Sequence, residues 1–242
     1  LIGYTILKRF ISGFDAAAIA ATYGSVSAVT FVTAVQFLEQ NNLAYGGHMA
    51  AAMALMESPA IILAVIFANT LRQQSAGQRT PMRKILHESF TDGAQLLLLG
   101  AMAIGLLTGE SGQAAMQPFS GDLFKGMLSF FLLDMGLMTA RNFPQLKHQS
   151  PWLMSYAVAG PLTHAAIALS LGWALNLPQG DTTLLMVLAA SASYIAVPAV
   201  LRYAVPEANP SLYFSLSLGV TFPLNILFGI PLYSEVARLT LS

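Results

Sequence analysis

Cysteine and charge are the two things this sequence has little of. None of the 242 residues is cysteine, which excludes a disulfide framework, a catalytic thiol and a zinc-thiolate centre. Only 9% are Asp, Glu, Lys or Arg, against about 25% in an average soluble domain. The 11 basic residues are balanced by 11 acidic ones, so the clustered positive surplus that a nucleic-acid surface needs is not there. Apolar residues fill the space: 55% are hydrophobic and the mean hydropathy is +0.63. The chain reads as an integral membrane protein whose first partner is the lipid bilayer.

Apolar stretches of about 20 residues, bounded by charge, turn residues or proline, mark membrane spans. Seven complete ones are expected, at 15–38, 45–71, 90–108, 119–140, 151–177, 182–204 and 211–234. Leu1 to Leu7, followed by Lys8 and Arg9, reads as the tail of another. If Lys8 and Arg9 are cytoplasmic, alternation puts Arg72, Arg79, Arg83, Lys84, Arg141, Lys147 and Arg202 on the same side, and only Lys125 and Arg238 fall elsewhere. That positive-inside pattern predicts an external C-terminus.

Two serine pairs sit midway along apolar spans: Tyr23-Gly24-Ser25-Val26-Ser27 and Ala190-Ser191-Ala192-Ser193-Tyr194. With Asp15 set over Asp181, Ser25 falls on Ser191 and Ser27 on Ser193 without a gap. After a two-residue gap Pro59 falls on Pro223, each preceded by a polar residue within two positions, Glu57 and Ser58 in one copy and Thr221 in the other. The spans carrying the two pairs run in opposite directions, so the repeat is inverted, as in transporters built from two inverted halves. The second copy has its serine pair in the fourth of five spans. The same count for the first copy predicts two to three further spans ahead of Leu1, giving a parent of five plus five spans. The expected fold is therefore an all-α polytopic membrane protein, an inverted-repeat transporter with two crossed discontinuous helices. Residues 1–72 would form the C-terminal part of the first repeat, 73–89 a cytoplasmic linker and 90–242 the second repeat.

Broken helices of this kind meet at mid-membrane. Half-helix N-termini offer unpaired amides and partial positive charge to a small anion. C-terminal carbonyls with serine and threonine hydroxyls suit a sodium ion. A lone serine pair in a membrane helix ordinarily packs or bonds back to the preceding turn, but its repetition at one offset favours binding. Gly24, Ser25, Val26, Ser27, Ser191, Ala192, Ser193 and Tyr194 are the expected substrate-binding residues. Glu57, deep in a span, is costly unless paired or facing a wet cavity, and Ser27, Thr30, Glu57, Ser193 and Thr221 supply the hard oxygen ligands that sodium prefers. Asp134, His164 and Asn225 form a second tier, with His164 a candidate partner for Asp134. Asp15 reads as the cap of the first complete span. No organic cofactor is expected. A cation/proton exchanger or organic-anion carrier uses the same features. An intramembrane serine hydrolase would need Ser25 or Ser193 paired with His48 or His164, but the histidines do not repeat as the serines do.

At Gly24-Ser25-Val26-Ser27, Leu55-Met56-Glu57-Ser58-Pro59-Ala60, Leu123-Phe124-Lys125-Gly126-Met127-Leu128-Ser129, Ser191-Ala192-Ser193, Pro206-Glu207-Ala208-Asn209-Pro210-Ser211 and Gly229-Ile230-Pro231-Leu232 the sequence resembles the sodium-dependent bicarbonate transporters of cyanobacteria and their wider bacterial relatives. The resemblance implies sodium-coupled uptake of bicarbonate by an elevator-like movement. It also implies a homotrimer in the bacterial cytoplasmic membrane and, in the cyanobacterial proteins, a soluble PII-like regulator on the cytoplasmic face. There are departures. Where the cyanobacterial pattern reads Ser-Ser-Ser-Asp-Ile-Ser-Gly-Pro, this chain has Ser191-Ala192-Ser193-Tyr194-Ile195-Ala196-Val197-Pro198, so an aspartate has become Tyr194. Glu57 stands where the pattern has aspartate.

Overall fold

A computed structural model describes residues 1–57, 59–74, 83, 87, 93–146 and 149–241, and these contain helices and no strand. Of the 73–89 linker only 73, 74, 83 and 87 are described, and Ser58 lies outside the described residues. The helices are α1 (Ile2–Leu7), α2 (Gly13–Gly24), α3 (Ala28–Gln40), α4 (His48–Glu57), α5 (Pro59–Gln74), α6 (Gly93–Gln117), α7 (Phe124–Leu146), α8 (Pro151–Ala174), α9 (Gln179–Ala190) and α10 (Ala196–Ala204). A last helical stretch, α11 (Pro210–Leu241), is loosened into π turns at Ser217–Thr221 and Asn225–Gly229.

Four stretches are long and apolar enough to cross a bilayer: Gly13–Gln40, His48–Gln73, Pro151–Ala174 and Pro210–Leu241. They match four of the seven expected spans. Another, 182–204, is divided into α9 and α10, of 12 and 9 residues, neither long enough alone. The expected spans at 90–108 and 119–140 are not separated by a loop. Helix continues from α6 through a π turn at Pro118–Leu123 into α7, and the Leu99–Gly121 and Phe124–Arg141 segments meet at a 41° bend. The end expected at 108 is marked instead by Gly109, whose φ of 56° is open to glycine at little cost.

The core lies around α2, α3, α9 and α11. Ala16, Ala17, Ala18 and Ile19 are fully buried, and their small size lets α2 lie close along α5. In the same way α9 lies along α8, with Gly172 close to Thr182. By contrast Leu106, Leu107 and Phe130, on α6 and α7, are 76–86% exposed. These two helices stand at the edge and turn an apolar face outward, as a span facing lipid or another subunit does.

The start of α2 differs from the expectation. Ser12, not Asp15, is the cap: its Oγ accepts from the Asp15 amide at 3.1 Å and donates to Asp15 Oδ2 at 2.7 Å, a reciprocal capping arrangement. Asp15 is left with its other oxygen to bind elsewhere.

Candidate functional site

The two serine-bearing breaks are joined to each other. At the first, Ser25 and Ser27 adopt extended backbone between α2 and α3, and at the second Ser191 does the same after α9. Extended residues take amides and carbonyls out of the helical ladder, so other groups must satisfy them. Ser27 Oγ caps α3, accepting from the Thr30 amide at 3.2 Å and the Thr30 hydroxyl at 2.9 Å. Its repeat counterpart Ser193 caps α10, accepting from the Val197 amide at 3.1 Å. Across the junction, the Ser193 amide donates to the Thr22 carbonyl at 2.9 Å.

The matching bond on the other side is relayed. The Ser27 amide donates to Ser191 Oγ at 2.9 Å, and that hydroxyl donates to the Leu188 carbonyl at 2.8 Å. Leu188 is the repeat counterpart of Thr22, so one link is direct and the other passes through a hydroxyl. Ser25, the counterpart of Ser191, instead donates to the Glu57 carbonyl at 2.9 Å.

The junction separates its two electrical poles. Val26, Ser27, Ala28 and Val29, with Ser193, Tyr194, Ile195 and Ala196, line a cavity of about 120 Å³ that Glu57 also borders. These residues open α3 and α10, where first-turn amides have no partner within the helix and the partial charge is positive. A second cavity, of about 270 Å³, is bordered by Tyr23, Gly24 and Ser25 and by Leu188 and Ala189, at the closing ends of α2 and α9, where the partial charge is negative. The opening ends of α3 and α10 thus border one cavity and the closing ends of α2 and α9 the other.

Among the expected anion ligands, Tyr194 carries a buried hydroxyl that the fold leaves without a partner. Its ring is 4% exposed and packs edge-on against Phe222, with centroids 5.0 Å apart. Its hydroxyl is turned towards Ser27, yet makes no hydrogen bond of acceptable geometry.

The remaining expected residues divide. Ser27, Ser193 and Glu57 border the first cavity, and Thr30 reaches it only through Ser27. Thr221 does not reach it: its hydroxyl donates to the Ala157 carbonyl at 2.8 Å and bonds the Tyr23 hydroxyl at 2.7 Å, because the π turn swings it towards α8. Asn225 ties down the end of α9, donating to the Ala190 carbonyl at 2.9 Å while accepting from the Tyr233 hydroxyl at 2.9 Å. His164 borders the second cavity. Asp134 is exposed on α7, and no ion pair between it and His164 occurs among the described residues.

A sequence model of the Na+-dependent bicarbonate transporter superfamily matches residues 1–238. The chain belongs to the Na+-dependent bicarbonate transporter superfamily. Comparison with individually curated proteins found no match. Membership fits a membrane protein that handles a small anion.

In this superfamily member several groups brace the junction in ways that the sequence alone does not show. Asp15 Oδ1 accepts from the Asn209 amide at 2.7 Å, and Asp181 Oδ1 accepts from the Gly46 amide at 2.6 Å. The two aspartates that align the copies therefore do the same job: each, at the start of a broken helix, holds the loop leading into the next span of the other half. His48 Nε2 adds a contact to Asp181 Oδ2 at 3.4 Å. Arg72, which reads from sequence as a topology-setting loop cation, is 5% exposed. It donates to both Glu207 carboxylate oxygens at 2.7 and 2.6 Å and to the Ala204 carbonyl at 3.0 Å. Arg72 holds the Glu207 carboxyl below its ordinary value, by hydrogen bonding first and charge second. The repeat alignment carries a signal for the aspartates; nothing in the local sequence of Arg72 distinguishes it from the other basic residues beside it.

Proposed function

We propose that this protein is a sodium-coupled secondary transporter of a small anion, bicarbonate, working by alternating access in the cytoplasmic membrane with its C-terminus external. The observation that carries the reading is the cavity where two half-helix N-termini converge beside one carboxylate. The amides opening α3 and α10 would bind the anion's oxygens. Glu57 and Ser193 Oγ would hold sodium, with Ser27 Oγ joining them if it gives up a bond from Thr30, and each ion would screen the other's charge. Neither ion is well bound alone, which is a direct basis for coupling them.

The inverted repeat and the crossing of its two broken helices belong to this proposal. Support comes from the equivalent bonds at both ends: the caps of Ser27 and Ser193, the links through Thr22 and Leu188, and the loop contacts of Asp15 and Asp181. An elevator-like movement would carry the junction past α6 and α7, whose exposed apolar faces suit the fixed framework and contacts within a homotrimer. A PII-like regulator would meet the 73–89 segment.

The test is uptake of radiolabelled bicarbonate by vesicles holding the transporter, with sodium or potassium as the only cation. Uptake in sodium alone is expected. Uptake that ignores sodium and follows a pH gradient would overturn the reading in favour of proton exchange. Sodium-driven uptake of a carboxylate with none of bicarbonate would move the substrate to organic anions.

A further inference from the structure

Resting on that reading, we propose that Tyr194 is the specificity-determining donor of the site: its phenolic O–H donates to an acceptor oxygen of the bound anion. A buried hydroxyl normally finds a partner, because leaving it unpaired forfeits its hydrogen bond to water. Tyr194 Oη is buried and has none. The residue borders the same cavity as the openings of α3 and α10, helices of 13 and 9 residues.

The ring cannot easily turn to find another partner. It is wedged among Met135, Leu218 and Phe222, all apolar. The hydroxyl is thus held buried beside Ser27, in a residue that borders the cavity, with its proton unclaimed. Ser27, the polar neighbour, already has its oxygen engaged by the amide and hydroxyl of Thr30.

The chemistry of the guest follows. The helix-opening amides and the phenol are donors, set apart from the oxygens of Glu57 and Ser193, so a planar oxyanion with several acceptor oxygens satisfies them together. A halide offers one centre and no directional lone pairs to match separated donors. The cavity, at about 120 Å³, holds about four waters' worth of volume, enough for a small planar oxyanion and its companion ion.

The experiment compares wild type with Tyr194→Phe in sodium-driven uptake by reconstituted vesicles. Losing one hydrogen bond to a charged substrate should raise the KM for bicarbonate at least about ten-fold, with the maximal rate and the sodium half-saturation changed less than two-fold. A merely structural role would lower the maximal rate and leave KM unmoved, and that result overturns the proposal. In wild type, nitrate and formate, planar and rich in acceptors, should compete with bicarbonate, while chloride at the same concentration should not. This second measurement needs no variant, so it decides the matter even if Tyr194→Phe does not fold. Equal inhibition by chloride overturns the proposal. If wild type shows no sodium-dependent bicarbonate uptake at all, the transport reading fails first, a result distinct from an unchanged KM in Tyr194→Phe.

Discussion

The two serines that the repeat makes equivalent, Ser25 and Ser191, should not be equivalent in what their loss does. Ser191→Ala removes the hydroxyl that accepts from the Ser27 amide and passes the bond on to Leu188. The amide left behind is in the fully buried centre of the junction, where Ser191 itself is 1% exposed. An orphaned buried donor costs about 1–3 kcal/mol, and the lost bond to Leu188 adds about 0.5–1.5 kcal/mol. Ser25→Ala removes only a donor to the Glu57 carbonyl. Under-satisfied carbonyls are tolerated better than orphaned amides, so about 0.5–1.5 kcal/mol is expected. At about 2–4 °C per kcal/mol for a chain of this size, Ser191→Ala should melt at least about 3 °C below wild type, and Ser25→Ala should lie between the two. Thermal unfolding in one detergent, followed by tryptophan fluorescence, measures both. Equal shifts, or a larger loss for Ser25→Ala, would refute the argument that one link is relayed and the other direct.

Glu57→Gln should abolish sodium stimulation of uptake while Glu57→Asp retains part of it; a sodium response in Glu57→Gln equal to wild type would remove Glu57 from the cation site. Glu207→Gln should lower stability at neutral pH by about 1 kcal/mol, the partly exposed pair being screened by solvent. Because Arg72 depresses the folded carboxyl below its ordinary 4.5, that stability is present above the unfolded value and disappears as pH falls through the folded one. Wild type and Glu207→Gln should therefore converge in melting temperature under acid, and a constant gap across the titration contradicts the pairing. Gly180→Ala would press a Cβ against the Ala44 carbonyl oxygen; the loop held by Asp181 must move, at about 1–3 kcal/mol, which unfolding in detergent with wild type alongside would register.

Much of the junction is legible in the sequence. The serine pairs are readable because polar residues in an apolar helix stand out, and because the same serine spacing at one offset elsewhere in the chain is hard to obtain by packing alone. Glu57 is readable for the same reason. Thr221 is harder, since the repeat aligns it with Glu57 whereas the π turn at Ser217–Thr221 rotates it towards Tyr23 and Ala157. A one-residue change in helical winding leaves no periodic trace strong enough to see. Polar residues 109–113 suggest a boundary between spans at 90–108 and 119–140, and the backbone does break there, at Gly109 with its φ of 56° and ψ of −143°, but no loop follows and helix resumes at once. The burial of Arg72 is invisible in its neighbours because its partner Glu207 lies 135 residues away.

By itself, then, the sequence determined that the chain is helical and membrane-embedded, and which oxygen-bearing side chains sit at the break points. Those are local properties: hydropathy, helix interruption and residue chemistry act over one or two turns and are written in neighbouring letters. Only the tertiary structure decided that the breaks bond to each other, that their positive and negative ends open into different cavities, and that Tyr194 is left with a proton to give. Those depend on which segments meet, and a hydrogen bond reaches about 3 Å in space whatever the distance along the chain.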